Sequence, residues 1–329
     1  MKIYLCNKIK PNINYYGYRL LRDLNHLYFL RGVDITNDID SKFDYAHFVD
    51  ISQKKEIYYV RDVLKKKVAV DYFVNKRKNK NIGLSEIVIP LEDKKILNKC
   101  NLIIVSCNAD KMILLANDIK TPIEVMPLPV NEERFTHVSD LEKNSFFQYA
   151  GLLKGKRFAL STTNYKDLKD IKNLVEIAEK VKNVRFFVFG PKRGIFNTPL
   201  SIKNAIDSAP SNIVFKTFVD EDIFKSAMLL SSFFIATSNA DLEILTVLEA
   251  MITKTQIFTF TSHYMGDVLI DNRNCLCGYS SSEVVNLINK FLQNEISTVD
   301  QAYQYAKKHS YQECSEILEK ILLNYVELD

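Results

Sequence analysis

Asp241 and Glu249, with seven residues between them, lie where an apolar run gives way to a helix-like one. Ser232-Phe-Phe-Ile-Ala-Thr237 reads as a buried strand, the residues to Asp241 as a short loop, and Thr246-Val-Leu-Glu-Ala-Met251 as the start of a helix. A helix start presents unpaired N–H groups and the positive end of its dipole, and both favour a phosphate. Thr246 adds a hydroxyl in that turn, with Leu245 beside it. Glu249, further along the helix, can accept the hydroxyls of a ribose. The expected chemistry is the holding of a nucleotide sugar. Taken singly, Asp241 reads better as a helix cap and Glu249 as a solvated residue or a lysine partner; the pair at this spacing favours the site.

The segment resembles the loop and helix of retaining glycosyltransferases with the GT-B fold, in which two acids separated by seven residues precede Ala-Met. Here the acids are Asp241 and Glu249, followed by Ala250-Met251. Leu242-Glu243-Ile244 stand where the family has Gly-Phe-Gly, whose glycines let the backbone approach the sugar. The resemblance implies that Glu249 holds the ribose and Asp241 the hydroxyls of the transferred sugar. It also implies that Gly17, at the head of the first helix, occupies the place of a glycine loop near the donor phosphates.

Cleavage of the donor leaves extra negative charge on the diphosphate, so a basic group belongs beside it. The family places an Arg and a Lys after the first strand of its second domain. Two alignments are open here. If Phe158–Thr163 is that strand, Lys169 or Lys172 follows it and Thr163 takes the Arg position. If Tyr149-Ala-Gly151 is the match, Arg157 serves. Lys172-Asn-Leu-Val-Glu176 opens a helix in the family's manner and favours Lys172, with Lys169 close by. Gly190-Pro-Lys-Arg-Gly194 is a basic loop after a strand, able to approach phosphate or base. Asp44-Tyr-Ala-His47 resembles the family's Asp-x-x-His, which implies that His47 faces the acceptor. Asp71 falls where the family often has His. Asp38-Ile-Asp40 spells a metal-binding Asp-x-Asp but reads as a polar loop, so no metal site is assigned.

These residues need strands and helices to hold them. Strand-like runs at Lys2–Cys6, Val33–Thr36, Tyr45–Ile51, Val68–Val74, Leu102–Ser106 and Ile123–Pro127 alternate with helical stretches at Tyr18–Leu30 and Asn108–Asn117. Leu20, Leu21, Leu24, Leu27 and Tyr28 form one stripe of the first helix, and Gly32 sits just past its end. The second half repeats the pattern with strands at Phe158–Thr162, Arg185–Phe189, Ile213–Phe215, Ser232–Ala236 and Gln256–Phe260, and helices at Asp170–Val181 and Ser315–Leu328. Strands separated by helices imply a doubly wound parallel sheet. The expected fold class is α/β of GT-B type, two Rossmann-like domains facing a cleft. Their expected extents are 1–140 on the acceptor side and 141–312 on the nucleotide-sugar side, with 313–329 a helix crossing back to the first.

The chain has 329 residues, 47% hydrophobic and 26% charged, as an ordinary folded protein does. No apolar run approaches the ~18 residues that span a bilayer, and Met-Lys-Ile-Tyr-Leu-Cys-Asn is too quickly polar for a signal peptide. Six scattered cysteines argue for reduced thiols, and Cys275 and Cys277 lack metal-ligand spacing. A cytoplasmic protein, peripheral to a membrane at most, is expected. Between Lys54 and Lys80, ten Lys and Arg stand against three acids, a net +7, whereas the whole chain carries +4. That window suits anionic lipid, nucleic acid or an acidic acceptor, or simply a solvated face.

The leading expectation is hexose transfer from a nucleotide-diphosphate sugar to a glycan, lipid or protein hydroxyl, with retention and without metal or other cofactor. The same residues leave two alternatives. One is a sugar-nucleotide epimerase or hydrolase on the same fold, the other a non-catalytic nucleotide or nucleic-acid binder.

Overall fold

The structure, a computed structural model, describes residues 1–8, 15–74, 87–152, 155–163, 165–190, 198–217, 219–237, 244–260 and 268–326. Six short apolar runs of the first half become strands: Lys2–Leu5 (β1), Asp34–Thr36 (β2), Tyr45–Phe48 (β3), Lys67–Asp71 (β4), Leu102–Val105 (β5) and Ile123–Val125 (β6). They pair in the order β2-β1-β3-β4-β5-β6, each neighbour parallel. β3 and β5 are buried at every position, as strands covered by helices on both faces must be.

A second six-stranded sheet follows. Phe158–Thr162 (β7), Arg185–Phe189 (β8), Ile213–Lys216 (β9), Phe233–Ala236 (β10), Gln256–Phe260 (β11) and Leu276–Gly278 (β12) pair in the order β12-β11-β10-β7-β8-β9, again all parallel. The helices are Tyr15–Leu30 (α1), Lys54–Tyr58 (α2), Leu91–Leu97 (α3), Asn108–Ala116 (α4), Asp140–Ala150 (α5), Leu168–Lys180 (α6), Leu200–Asp207 (α7), Glu221–Leu230 (α8), Ile244–Ile252 (α9), Ser281–Leu292 (α10), Val299–Lys307 (α11) and Tyr311–Val326 (α12). The molecule is thus α/β, two doubly wound parallel sheets with the helices between their strands.

Each sheet reverses its winding once. In the first the reversal falls between β1 and β3, in the second between β7 and β10. At such a point the helices leave toward opposite faces and open a crevice outside the strands' carboxyl ends, where ligands bind. α1 follows β1 and α9 follows β10, so both helices begin beside a crevice.

Several boundaries differ from the sequence reading, and two of them show why. The strand expected through Ile51 stops at Phe48, because the Asp50 carboxylate accepts the Ser52 N–H at 2.7 Å and starts a 3-10 turn. Residues 131–143, polar and charged and assigned no element from sequence, do form structure. Glu133–Phe135 is a 3-10 turn, and α5 begins at Asp140, closed by a Ser139–Glu142 capping box and ended by Gly151 at φ 59°. Gly32, at φ 63°, ends α1 as expected from its position.

α12 lies along α1. The Arg31 guanidinium donates to Ser315 Oγ at 2.8 and 2.9 Å, and Tyr311 donates to Asp23 at 2.7 Å. Just before it the chain runs beside the connection that leaves the first sheet, with Val130 N–H donating to His309 O at 2.7 Å. Among the described residues no helix is long and apolar enough to cross a membrane.

Candidate active site

α9 is apolar on every side, and each of its nine residues is buried. A helix of that kind belongs inside a protein rather than on its surface. Its two polar positions, Thr246 and Glu249, are therefore desolvated groups that need partners. Glu249 is 3% exposed, and its Oε1 accepts from two guanidinium groups. Arg19 of α1 reaches it through Nη2, and Arg134 donates from Nη1 at 3.2 Å. Glu249 Oε2 is buried and has no hydrogen-bond partner among the described residues.

The sequence places these groups from three directions. Arg19 lies in the second turn of α1, beside the reversal of the first sheet, and is 6% exposed. Arg134 sits in the 3-10 turn between the sheets. Asn131 Oδ1 accepts the Arg134 N–H at 3.2 Å, and Phe135 anchors the turn in the core. Glu132 secures the same turn to α11 through Lys307 at 2.8 Å and Tyr303 at 3.2 Å. α11 in turn packs on α9.

The charges continue outward. Arg134 Nη2 also meets Glu221 Oε1 at 3.0 Å, and Arg22 Nη1 meets the same oxygen at 3.1 Å. Burial pushes the Glu221 carboxyl up, but Arg134, Arg22 and Arg19 outweigh it and hold the pKa below its ordinary value. Asp23 behaves oppositely. Burial raises its pKa, and the Tyr311 hydroxyl with Arg19 and Arg22 only partly offsets this. The result is a chain of alternating charge, dry at Glu249 and Arg19 and solvated at Arg22 and Glu221, that joins the two sheets at their crevices.

No family model matches the sequence. A processive diacylglycerol alpha-glucosyltransferase from Acholeplasma laidlawii is 20% identical over 297 residues, which is 88% of this chain and 87% of that protein. HepE from Anabaena, solved with UDP and glucose, superposes with a TM-score of 0.74 over 98% of this chain and all of that one, at 13% identity. Sucrose-phosphate synthase from Thermosynechococcus elongatus superposes at 0.75 over 98% of both chains, at 10% identity. The chain is a glycosyltransferase homologue with the GT-B fold.

Of the residues singled out in the sequence, the GT-B crevice holds some and not others. Leu245 and Thr246 lie in the first turn of α9, and Glu249 is one turn further on. Gly17 is buried in the first turn of α1, near Arg19. Asp241 and Pro191 to Gly194 lie outside the described residues. Lys169 and Lys172 are both exposed on α6, which starts after the central strand β7. Arg157 precedes β7, at the amino edge of the sheet and away from the crevice, and donates to Leu292 O at 3.3 Å.

His47 was expected to face an acceptor, and the structure gives it no open side. It is 0% exposed, with Nδ1 2.6 Å from the Tyr28 hydroxyl and Nε2 3.0 Å from Asp71 Oδ2. The reason is topological: His47 stands within β3, flanked by β1 and β4. Gly190 is also explained by packing, since a Cβ there would strike the Tyr165 ring and the Thr163 carbonyl. Asp38 accepts the Asp40 N–H at 3.1 Å and closes a turn.

Arg19, Arg134 and Glu221 went unnoticed in the sequence. Arg19 and Asp23, one helical turn apart, border the leucine stripe of α1, and a charge at the edge of an apolar stripe that becomes buried needs a partner. Arg134 sits in Val130-Asn-Glu-Glu-Arg-Phe135, just past β6, where the local pattern assigns no role to its arginine.

Proposed function

We propose that this protein moves a hexose from a nucleotide-diphosphate sugar to an acceptor hydroxyl, with retention at the anomeric carbon. The observation that carries the reading is Glu249 Oε2, a buried carboxylate oxygen without a partner among the described residues, one turn inside the helix that starts at the second sheet's crevice. A vicinal diol supplies the missing hydrogen bonds, and the N–H groups of the α9 start suit a phosphate. HepE, solved with UDP-glucose, supports a donor of this class. In this reading Asp241 holds hydroxyls of the transferred sugar. Departure and attack share one face, which gives retention. The helix start and basic side chains supply the positive charge the diphosphate needs, so the scheme requires no metal.

Residues 1–140 would present the acceptor and 141–312 the donor. The similarity to a diacylglycerol glucosyltransferase favours a lipid acceptor at a membrane surface. Lys54, Lys55, Lys65 and Lys66 are exposed, with Tyr59 and Val63 exposed between them, a composition suited to anionic headgroups; Lys76, Arg77, Lys78 and Lys80 of the same window lie outside the described residues.

The test is a thermal-shift panel of uridine, guanosine and adenosine diphosphates and their hexose conjugates. One base is expected to raise the unfolding midpoint, with a smaller shift or none in Glu249→Ala. Equal stabilisation of wild type and Glu249→Ala would remove this carboxylate from the donor site.

A further inference from the structure

We propose that Arg19 and Arg134 bind the donor's diphosphate, and that their ion pairs with Glu249 in the free protein are exchanged for it when the donor arrives. The proposal rests on the nucleotide-sugar reading of the same crevice and assigns two binding residues that the acid-pair motif does not contain.

The contact pattern on Glu249 is lopsided. Both guanidinium groups crowd onto Oε1, while Oε2 has no partner among the described residues. A carboxylate serving only as a structural counter-ion would be expected to spread its contacts over both oxygens, as bidentate Arg–carboxylate pairs do. Here the second oxygen stands ready for a different donor group. Arg19 and Arg134 also come from elements that share no strand with α9, one from α1 and one from the connecting turn. They meet where the crevices of the two sheets face each other.

A buried guanidinium cannot be released without an anion to replace the one it leaves, because an uncompensated buried charge is costly. A diphosphate is such a replacement, and its oxygens match the planar fork of Arg better than the single charge of Lys. Arg134 already divides its nitrogens between Glu249 at 3.2 Å and Glu221 at 3.0 Å, so it keeps one carboxylate while exchanging the other. The exposed Lys169 and Lys172 on α6 lack this desolvation, and water weakens a phosphate contact made there. The exchange frees Glu249 for the ribose as the arginines turn to the phosphates, so one event arranges both halves of the nucleotide.

The experiment measures binding of UDP, GDP and ADP, and of uridine, guanosine and adenosine, by titration calorimetry. The proteins are wild type, Arg19→Gln, Arg134→Gln, Glu249→Gln and each arginine variant combined with Glu249→Gln. For the diphosphate that binds wild type, each arginine variant is expected to lose about tenfold or more in affinity, as for loss of a charge-assisted contact. The matching nucleoside is expected to change little, and the loss to persist in the Glu249→Gln background. A loss that vanishes in that background, or falls equally on the nucleoside, overturns the proposal by making the arginines mere positioners of Glu249. Unchanged diphosphate affinity in both arginine variants overturns it while leaving the nucleotide-sugar reading intact. If wild type binds none of the three diphosphates, that reading itself fails and this proposal with it. Should Arg19→Gln not fold, Arg134→Gln and Arg19→Lys carry the measurement, because Arg134 is the better solvated of the two and Lys preserves the charge.

Discussion

His47 sits in the middle of a buried hydrogen-bond chain that runs Tyr45, Tyr28, His47, Asp71. With its Nε2 proton directed at the Asp71 carboxylate, Nδ1 accepts the Tyr28 hydroxyl, and Tyr28 oxygen in turn accepts from Tyr45 at 3.0 Å. Burial raises the Asp71 pKa, and the imidazole works against that rise. Replacing His47 by Leu leaves the buried Asp71 carboxyl without its imidazole partner and the Tyr28 hydroxyl with Tyr45 alone, which costs about 3 kcal/mol. Urea unfolding should therefore show His47→Leu markedly destabilised, while the diphosphate affinity of the folded fraction stays that of wild type. A variant as stable as wild type but inactive would restore the acceptor-facing role. The sequence could not reveal this. Asp44-Tyr-Ala-His47 places a histidine in a strand, but the ring that covers it, Tyr28, and the carboxylate that meets it, Asp71, arrive from α1 and β4. Glu249 was legible because its partners in the argument lie within one local strand-loop-helix unit. Arg19 was not, because its significance depends on a residue 230 positions away.

Elements were read more reliably than residues, for the same reason. β7, β8 and β11 match the sequence expectation residue for residue, since each is a short apolar run between polar breaks. α5 was missed because its sequence, Asp140-Leu-Glu-Lys-Asn-Ser-Phe-Phe-Gln-Tyr-Ala150, is mostly polar and carries little periodic signal, so its start rests on capping. The Ser139 hydroxyl and N–H both bond the Glu142 carboxylate, and Lys225 of α8 adds an ion pair at 2.9 Å. These contacts, with Ser139 first, hold the Glu142 pKa at about 2, below its ordinary 4.5. A depressed folded pKa means that the unfolded chain binds more protons between those values. The contribution is therefore present above about pH 4.5 and lost as pH falls toward about 2. Ser139→Ala removes the cap at a cost of about 1 kcal/mol and lets the Glu142 pKa rise. Circular dichroism during acid titration should show that variant unfolding at a higher pH than wild type, and coincident acid midpoints would mean that the box does not hold α5.

At the scale of the whole molecule, each sheet keeps an apolar cluster of its own, and a third cluster is shared between them. One continuous apolar cluster contains Ile3 and Leu5 of β1, Leu20, Leu24 and Leu27 of α1, Phe158 and Leu160 of β7, the buried face of α9, and Cys314, Leu318, Ile321 and Leu322 of α12. The shared cluster couples the two, because unfolding either sheet alone would expose its part of it, and α12 supplies apolar surface to α1 after the chain has built the second sheet. The connections also hold each other: His309 Nδ1 lies 3.0 Å from Leu128 O, beside the Val130–Ser310 bridge. The strand of residues that leaves the first sheet and the one that returns to it are thus a single joint. A shared cluster and a bonded joint predict cooperative unfolding of both sheets. Leu318, 1% exposed in α12, provides the probe, because truncation to Ala in a packed core costs about 3 kcal/mol. Calorimetry of wild type is expected to give one transition, and Leu318→Ala to move that transition to lower temperature without splitting it. Two resolved transitions, only one displaced by the substitution, would show instead that the sheets melt apart and that the crevice between them opens at a joint weaker than its contacts imply.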